Sequence, residues 1–289
     1  MSTPIVDLWA PTGGAQLADA LASHGCTWVV NHGVPEEACT AIRASALAFF
    51  GLPRDLKAAV EWDGRGLWKG WQPILEGGRE YGGAVRPTEL LERFEVNTFN
   101  GLPAPGTRWP GELPRFRTAW LAYLDHVSAL ASRLVSLLAE RLALPAADLP
   151  AWTGRQFSNL VANHYPPQQV APAEGRARVN PHVDHGGLTI LLLDDAPGGL
   201  ESEVDGTWQP VTTVSDALLV QGGELLEVWT QGRLRANRHR VVNPPRDAAA
   251  TSRLSVVWFH HPDLEWEMPG GGRARDLVQG RQDAYRGAA

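Results

Sequence analysis

A histidine and a carboxylate stand two residues apart in the stretch VNPHVDHGGLTILLLDD, which runs from Val179 to Asp195. The stretch has the apolar character of a strand, and in a strand residues i and i+2 point to the same face. His182 and Asp184 could therefore bind one metal ion from the same side. Polar groups in a strand are costly unless something compensates them, and a metal ion would do so.

A third ligand must come from elsewhere in the chain. His239 is the candidate, because it lies in strand-like sequence, RANRHRVVNPP, after a Gln-Gly turn. Two imidazoles and one carboxylate leave coordination positions open, which is typical of non-haem Fe(II) oxygenases. The alternative is that the H-x-D pair is structural, since such a pair is common by itself. His185 would face the other way in a regular strand, so we do not expect it to be a ligand.

A second polar pair has the same spacing. Arg253 and Ser255 begin the strand-like run RLSVVWF, so a guanidinium and a hydroxyl would point together. Arginine binds a carboxylate through two parallel hydrogen bonds, and a neighbouring hydroxyl adds a donor. The pair could hold one end of a small dicarboxylate whose other end chelates the metal. The alternative is an exposed Arg-Ser pair on an edge strand.

The composition of the 289-residue chain is that of an ordinary globular protein. Its net charge of −6 provides no basic surface for nucleic acid. The first residues lack the pattern of a signal peptide, and we expect no apolar run long enough to cross a bilayer. Two cysteines, Cys26 and Cys39, are too few for a disulfide framework. We therefore expect a cytoplasmic monomer that binds a small molecule, and neither nucleic acid nor a membrane.

The pattern along the chain favours a single domain over residues 1–289 that contains two regions of different sequence pattern. Residues 1–150 alternate helix and strand signals, and apolar residues three and four apart predict a long core helix near 114–144. Residues 155–262 hold seven or more short apolar runs separated by turn residues, typical of a sandwich or jelly roll. Residues 263–289 form a polar tail. The predicted fold is mainly β with supporting helices.

The chain resembles the isopenicillin N synthase-like branch of the Fe(II)- and 2-oxoglutarate-dependent oxygenases. The matching segments, in the family's order, are PIVDL, VVNHGVP, FFGLPRDLK, NHYPP, HVDHGGLTILLLDD, GGLE with DGTWQPV, GELLEVWTQGRLRANRHRVV and RLSVVWFHHP. Each segment alone is a weak signal, but together they cover residues 4–262 and are highly specific. The resemblance implies a double-stranded β-helix (jelly-roll) core with helical support.

The resemblance also implies roles for individual residues. His182, Asp184 and His239 would be the iron ligands, and Arg253 and Ser255 would hold the distal carboxylate of 2-oxoglutarate. Tyr165 would help to hold this carboxylate, Asn163 would lie near the co-substrate or the primary substrate, and Phe259 would pack beside the site as a further substrate-contacting candidate. The cofactor would be Fe(II), with 2-oxoglutarate and dioxygen as co-substrates. The reaction would hydroxylate, desaturate or cyclise a small natural-product or amino-acid-derived molecule.

The substrate pocket is expected where the chain departs from the family, between Trp62 and Arg86. This stretch has no regular period and is rich in tryptophan and arginine, which supply apolar contact area and pair with anions. We expect Trp71, Arg79 and Arg86 to contact a substrate that is partly apolar and carries a carboxylate or another polar anchor. His260 is a further candidate. The alternative is that these tryptophans pack on the outside of the barrel.

Two other functions are compatible with the same residues. One is an oxidase of this branch that uses iron and dioxygen without 2-oxoglutarate, and Arg253 and Ser255 do not decide against it because such oxidases can retain the pair. The other is a non-catalytic jelly-roll binding protein, against which the intact set of ligands argues. Formation of succinate separates the first alternative from the main hypothesis, and metal analysis with a turnover assay tests the second.

Overall fold

A computed structural model describes residues 2–63, 69–74, 78–81, 84–87, 89–170, 172 and 176–286. The helices are α1 (Gly13–His24), α2 (Glu36–Phe50), α3 (Arg54–Ala58), α4 (Phe116–Arg141), α5 (Leu149–Thr153), α6 (Glu224–Trp229) and α7 (Ala274–Arg286). The strands are β1 (Ile5–Asp7), β2 (Cys26–Val30), β3 (Gly70–Gln72), β4 (Gly78–Tyr81), β5 (Ala84–Pro87), β6 (Glu92–Phe99), β7 (Leu102–Pro103), β8 (Phe157–Tyr165), β9 (Val179–Val183), β10 (Leu188–Leu193), β11 (Leu200–Val204), β12 (Thr207–Pro210), β13 (Leu218–Gly222), β14 (Arg238–Val241) and β15 (Arg253–His260).

Two sheets form the jelly roll, which confirms the predicted fold class. The major sheet has the order β1-β2-β13-β10-β15-β8-β6-β3, with β7 paired to β6. The minor sheet has the order β12-β11-β14-β9, and β4 and β5 form a separate hairpin. Several pairs of adjacent strands are distant in sequence, such as β13 beside β2 and β6 beside β8, so the fold depends on long-range pairing.

The two faces of the major sheet follow the two-residue period of its central strands. One face packs against the helices, with Leu160 and Ala162 of β8 and Val256 and Trp258 of β15 fully buried there. The intervening residues point toward the minor sheet and line a cavity between the sheets: Asn159, Val161, Asn163 and Tyr165 of β8, and Arg253, Ser255, Val257 and Phe259 of β15. The polar residues of these two strands that line the cavity, such as Asn159, Asn163, Arg253 and Ser255, therefore lie on one face.

Helix α4 is the main support of the major sheet and lies where the leucine spacing places a core helix. It packs against α1, α2 and α5 and reaches β10 and β15. By length and composition alone α4 could cross a membrane, so the expectation that the chain has no such run was wrong. Its residues Trp120, Val127, Leu134 and Leu138 are buried inside the protein, as in the core helix of a globular domain.

The polar C-terminal segment forms a helix over part of its length. Helix α7 lies near the β4–β5 hairpin, and its Val278 is buried and lines the cavity between the sheets. The segment therefore contributes to one wall of the cavity.

Candidate active site

The two candidate histidine ligands face each other across one strand pair of the minor sheet. Strands β9 and β14 are antiparallel, and their register sets His182 directly opposite His239, with ring centroids 4.2 Å apart. Strand β9 ends at Val183, so Asp184 belongs to the following loop rather than to the strand itself. The H-x-D spacing still brings Asp184 to the histidines, because it is the first residue after the strand.

The donor atoms of the three residues converge on one point. Asp184 Oδ1 lies 3.5 Å from His182 Nε2 and 3.9 Å from His239 Nε2, and one donor atom from each residue lies within 4.8 Å of the others. The second ring nitrogen of each histidine is engaged elsewhere. Nδ1 of His182 lies 2.9 Å from the carbonyl oxygen of Asn180, and Nδ1 of His239 lies 3.1 Å from that of Asn237.

These backbone contacts fix the histidine tautomers. When Nδ1–H donates to a carbonyl, Nε2 keeps its lone pair for a metal ion. The donor set of two imidazole nitrogens and one carboxylate oxygen suits Fe(II) and leaves positions for other ligands. The residues His182, Asp184 and His239 therefore fit a bound iron ion.

Asp184 is held in its ionised form. Its burial favours the neutral acid, but the charges of His239 and His182 and a hydrogen bond from the Thr189 hydroxyl outweigh burial and lower its pKa. Burial and the neighbouring His182 lower the pKa of His239 to about 4. Burial also acts to lower the pKa of His182, but the hydrogen bond and charge of Asp184, with the charge of Glu89 and the Asn180 backbone, together outweigh burial, so this pKa is raised.

Two glycines allow the loop after Asp184 to pack tightly. A Cβ atom on Gly187 would lie 2.2 Å from the Trp152 side chain, which is fully buried beneath it. A Cβ atom on Gly186 would lie 2.9 Å from the carbonyl oxygen of His260. The HGG segment is therefore compact, and it holds Asp184 close to the first residue of β10, Leu188.

The candidate co-substrate residues lie together at one end of the cavity. Arg253 is paired with Tyr165, and Ser255 with Asn163, in the register of β15 and β8. The Tyr165 hydroxyl is buried, which raises its pKa, and it is hydrogen-bonded to Ser255. The Oδ1 atom of Asn163 is buried without a partner among the described residues. An unpartnered buried oxygen is costly, so this corner fits a bound polar molecule.

The carboxylate of Asp194 orients the Arg253 guanidinium. The sequence does not reveal this role of Asp194, because the residue lies just before a turn. Its Oδ1 lies 3.2 Å from Arg253 Nη1, and the same nitrogen donates to the carbonyl oxygen of Ala196 at 2.6 Å. The other carboxylate oxygen of Asp194 accepts the backbone N–H of Leu254. Arg253 is only 4% exposed, which rules out the alternative of a surface pair.

A second buried arginine supports this end of the cavity. Arg178 is fully buried, and its guanidinium lies 5.5 Å from the Tyr165 ring centroid. Its Nη1 donates to the carbonyl oxygens of Pro197 and Gly198, at 2.7 and 2.8 Å. Burial and the nearby charge of Arg253 lower the pKa of Arg178 to about 10. The sequence analysis did not identify Arg178, because its neighbours match no motif.

The opposite part of the cavity is lined by residues of β6 and β8 that sequence analysis also missed. Glu95 and Asn159 both line it, and Asn159 Nδ2 donates to Glu95 Oε1 at 2.6 Å. Arg93 lies beside them on β6 and forms an ion pair with Glu89 at 3.5 Å. A signal was present, because LERFEVN carries a polar residue at every second position, which in a strand defines one polar face.

Trp71 was wrongly predicted to contact the substrate. It is 2% exposed, lies in the core shared with the helices, and its Nε1 donates to Glu92 at 2.8 Å. Glu92 points away from the cavity, because it alternates along β6 with the cavity-lining Arg93. The alternative that tryptophans of this stretch pack outside the barrel is the correct one for Trp71.

His260 was also wrongly assigned to the pocket. It is fully buried on the helix side of β15, where its Nε2 lies 2.8 Å from the carbonyl oxygen of Trp152. The next residue, His261, lines the cavity instead, because it falls on the same side as Phe259 in the two-residue period of β15. Phe259 does line the cavity, as expected.

The remaining substrate predictions concern Arg79 and Arg86. The β4–β5 hairpin sets these two residues opposite each other in its backbone register. Their side chains lie outside the described part of the structure, so their contact with a substrate stays a prediction.

Comparison with known proteins identifies the class to which this fold and site belong. Residues 156–262 match the 2OG-Fe(II) oxygenase superfamily, and residues 4–114 match the non-haem dioxygenase in morphine synthesis N-terminal family. The first match spans β8 to β15, and the second spans β1 to β7 with α1 to α3, so helices α4 and α5 lie between the two matched segments.

Individual relatives extend this match over nearly the whole chain. Validamycin A dioxygenase of Streptomyces hygroscopicus subsp. limoneus is 35% identical, covering 94% of this chain and 82% of that protein. The 2-oxoglutarate-dependent dioxygenase caaD of Aspergillus niger is 30% identical over 94% of this chain and 86% of its own length. The crystal structure of a 2OG-Fe(II) oxygenase family protein from Caulobacter crescentus shares the fold, with a TM-score of 0.82, 25% identity, and coverage of 99% of this chain and 100% of that one.

The fold and site therefore define a non-haem iron oxygenase with a jelly-roll core. The chain belongs to the 2OG-Fe(II) oxygenase superfamily and is an Fe(II)- and 2-oxoglutarate-dependent dioxygenase. Its cofactor is Fe(II), and 2-oxoglutarate and dioxygen are its co-substrates.

Proposed function

We propose that this dioxygenase oxidises a small natural product at an iron ion held by His182, Asp184 and His239. The observation that carries the proposal is the convergence of two Nε2 atoms and one carboxylate oxygen within 4.8 Å. Backbone carbonyls hold both Nδ1 atoms, which is the arrangement expected of metal-binding histidines. The reaction is a hydroxylation, desaturation or oxidative cyclisation.

We further propose that Arg253 and Ser255 bind the distal carboxylate of 2-oxoglutarate. The supporting observations are the burial of Arg253, its orientation by Asp194, and the hydrogen bond between Ser255 and Tyr165. The unpartnered Asn163 Oδ1 would accept a hydrogen bond from a bound polar group or water. A guanidinium held in place by the protein binds a carboxylate strongly, because two parallel charge-assisted hydrogen bonds form between them and offset the cost of removing both charges from water.

The residues of the chain position the reactants and exclude water. Bound Fe(II) and 2-oxoglutarate supply the chemistry that activates dioxygen and oxidises a C–H bond of the substrate. Thr189 keeps Asp184 ionised and oriented, and the apolar side chains of Leu191 and Val257 line the cavity between the co-substrate and substrate regions. The cavity volume of about 190 Å³ accommodates a small molecule rather than only a few waters.

A turnover screen with Fe(II) and 2-oxoglutarate tests the proposed function. Validamycin A is the first compound to try, because a relative named for it is 35% identical over 94% of the chain. Substrate-dependent succinate release that requires iron and dioxygen is the expected result. Dioxygen consumption without succinate would favour the oxidase alternative, and absence of iron binding would contradict the proposal.

We also propose that the protein is a cytoplasmic monomer. Size-exclusion chromatography with light scattering tests the oligomeric state, and cell fractionation tests the location.

A further inference from the structure

A buried carboxylate in the cavity has no role in the iron or co-substrate regions. Glu95 is 4% exposed and lines the cavity from β6. Burying a carboxylate is costly unless it is paired with a charge or well hydrogen-bonded. Such a cost persists in a protein when the group has a function that requires it.

Among the described residues, the hydrogen-bond donors to Glu95 are two side-chain amides. Asn159 Nδ2 donates to one carboxylate oxygen at 2.6 Å, and Gln72 Nε2 donates to the other at 3.2 Å. In the part of the chain that the structure describes, no basic nitrogen lies within 4.0 Å of this carboxylate. Burial raises the pKa of Glu95 despite the two amides and the more distant charge of Arg93.

Among the described residues of this wall, the two carboxylates of Glu89 and Glu95 accompany one guanidinium, that of Arg93. Arg93 is paired with Glu89 at 3.5 Å, so its charge is balanced by another acid. Glu95 is the second acid on the same wall. A cationic group of a ligand would complete the set, since the amides orient the carboxylate but do not neutralise it.

The strand register separates Glu95 from the co-substrate residues. Glu95 pairs with Val161, Val161 pairs with Val257, and Arg253 pairs with Tyr165 four residues along β8 from Val161. With strands about 4.8 Å apart and about 3.3 Å per residue, Glu95 and Arg253 differ by about 10 Å across the sheet and about 13 Å along it. The molecule 2-oxoglutarate is too short to contact both, so Glu95 faces a different ligand.

We propose that Glu95, oriented by Asn159 and Gln72, binds a protonated amine or another cationic N–H donor of the primary substrate. The proposal rests on the proposed function, since it names the substrate class of the same site. It also differs from the sequence-based expectation of a carboxylate anchor on the substrate, because the described wall is acidic. The apolar side chains of Val161, Leu191 and Val257 would contact the remainder of the molecule.

Three probes of equal shape test the proposal: cyclohexylamine, cyclohexanol and cyclohexanecarboxylate. Their binding is measured by titration calorimetry, without dioxygen, to the protein loaded with Fe(II) and 2-oxoglutarate and to the metal-free protein. We expect the amine to bind at least about tenfold more tightly than the carboxylate, which corresponds to about 1.4 kcal/mol. Glu95→Gln should remove this preference and leave the affinity for 2-oxoglutarate unchanged.

The same strand offers a matched control in Glu92. This residue lies on the opposite face of β6, where it accepts hydrogen bonds from Lys57 and Trp71, both at 2.8 Å. Glu92→Gln should lower the melting temperature by a few degrees and keep the amine preference. Glu95→Gln should leave the melting temperature unchanged or raise it, because it removes a desolvated charge.

The outcomes separate this proposal from the proposed function. If the carboxylate probe binds as well as the amine, if the amine fails to bind at millimolar concentration, or if Glu95→Gln retains the preference, the proposal is overturned. A lower melting temperature in Glu95→Gln with unchanged binding would show a purely structural role. If the wild-type protein does not bind iron or 2-oxoglutarate, the proposed function is overturned instead. The titration of the metal-free protein would still measure whether Glu95 binds the amine.

Discussion

The two ends of the cavity are built on the same sheet but with opposite electrostatic character. The co-substrate end on β10 and β15 presents the guanidinium of Arg253, with Arg178 buried close behind Tyr165. The substrate end on β6 and β8 presents Glu95 and an amide from Asn159. A dianionic co-substrate is thereby attracted to one end and excluded from the other. The difference shows that one sheet can present groups of opposite charge to the same cavity, which is the basis of the two proposed ligand sites.

Removal of an iron ligand has the largest expected effect, because it disables both ends. His239→Ala should abolish iron binding and turnover, since His239 Nε2 is one of only three donor atoms that converge in the described site. Iron content by mass spectrometry and succinate release check this result. His126→Ala, on an exposed position of α4, is the matched control. Full activity in His239→Ala would disprove the ligand assignment.

Replacement of Trp71 tests whether it belongs to the substrate end at all. Trp71→Ala removes a fully packed side chain and leaves Glu92 without one of its hydrogen bonds. It should lower the free energy of unfolding by about 3–5 kcal/mol, as measured by denaturant unfolding. Iron and 2-oxoglutarate affinities of the folded fraction should stay unchanged. A stable variant with weakened substrate binding would return Trp71 to the pocket.

A conservative change at the co-substrate end should affect one ligand only. Arg253→Lys retains the charge but loses the two parallel hydrogen bonds of the guanidinium. We expect the KM for 2-oxoglutarate to rise about tenfold or more, since a hydrogen bond to a charged group is worth about 1.5–3 kcal/mol. Iron affinity and binding of cyclohexylamine should not change. The control is Arg240→Lys on the minor sheet, and an unchanged KM in Arg253→Lys would disprove the assignment of Arg253 to the distal carboxylate.

A final expected effect concerns stability in acid and involves neither end of the cavity. Burial lowers the pKa of His260 to about 4 from its ordinary value of 6.5. The unfolded chain therefore binds more protons than the folded protein as the pH falls below 6.5, and the free energy of unfolding decreases until about pH 4. For His260 this amounts to roughly 3 kcal/mol.

His260→Gln should flatten this acid dependence in denaturant unfolding of the metal-free protein. The comparison variant is His261→Gln, which changes a cavity-lining residue and should alter substrate binding as well. If the acid dependence of His260→Gln equals that of the wild type, His260 is not the group that titrates. The two variants therefore test whether neighbouring residues on opposite sides of one strand differ in role. His261 would contact the substrate, and His260 would affect only stability.

Much of the fold and of the iron site could be predicted from sequence because the signals are local. The two-residue alternation of β8 and β15, the spacing along α4 and the H-x-D pair each follow from residues close in the chain. Arg253 and Ser255 share a face for the same reason. These assignments depend on backbone periodicity, which the side chains of a short segment determine.

The tertiary structure decided which residues share the cavity with those motifs. Glu95, Asn159 and Arg178 are ordinary polar residues in their own segments, and only pairing of β6 with β8 and packing beside Tyr165 give them a role. Trp71 and His260 have residue types suited to binding, but the faces they occupy pack against helices from distant parts of the chain. Which face of a strand becomes the inside of a cavity depends on the elements that cover it, and long-range packing sets that choice.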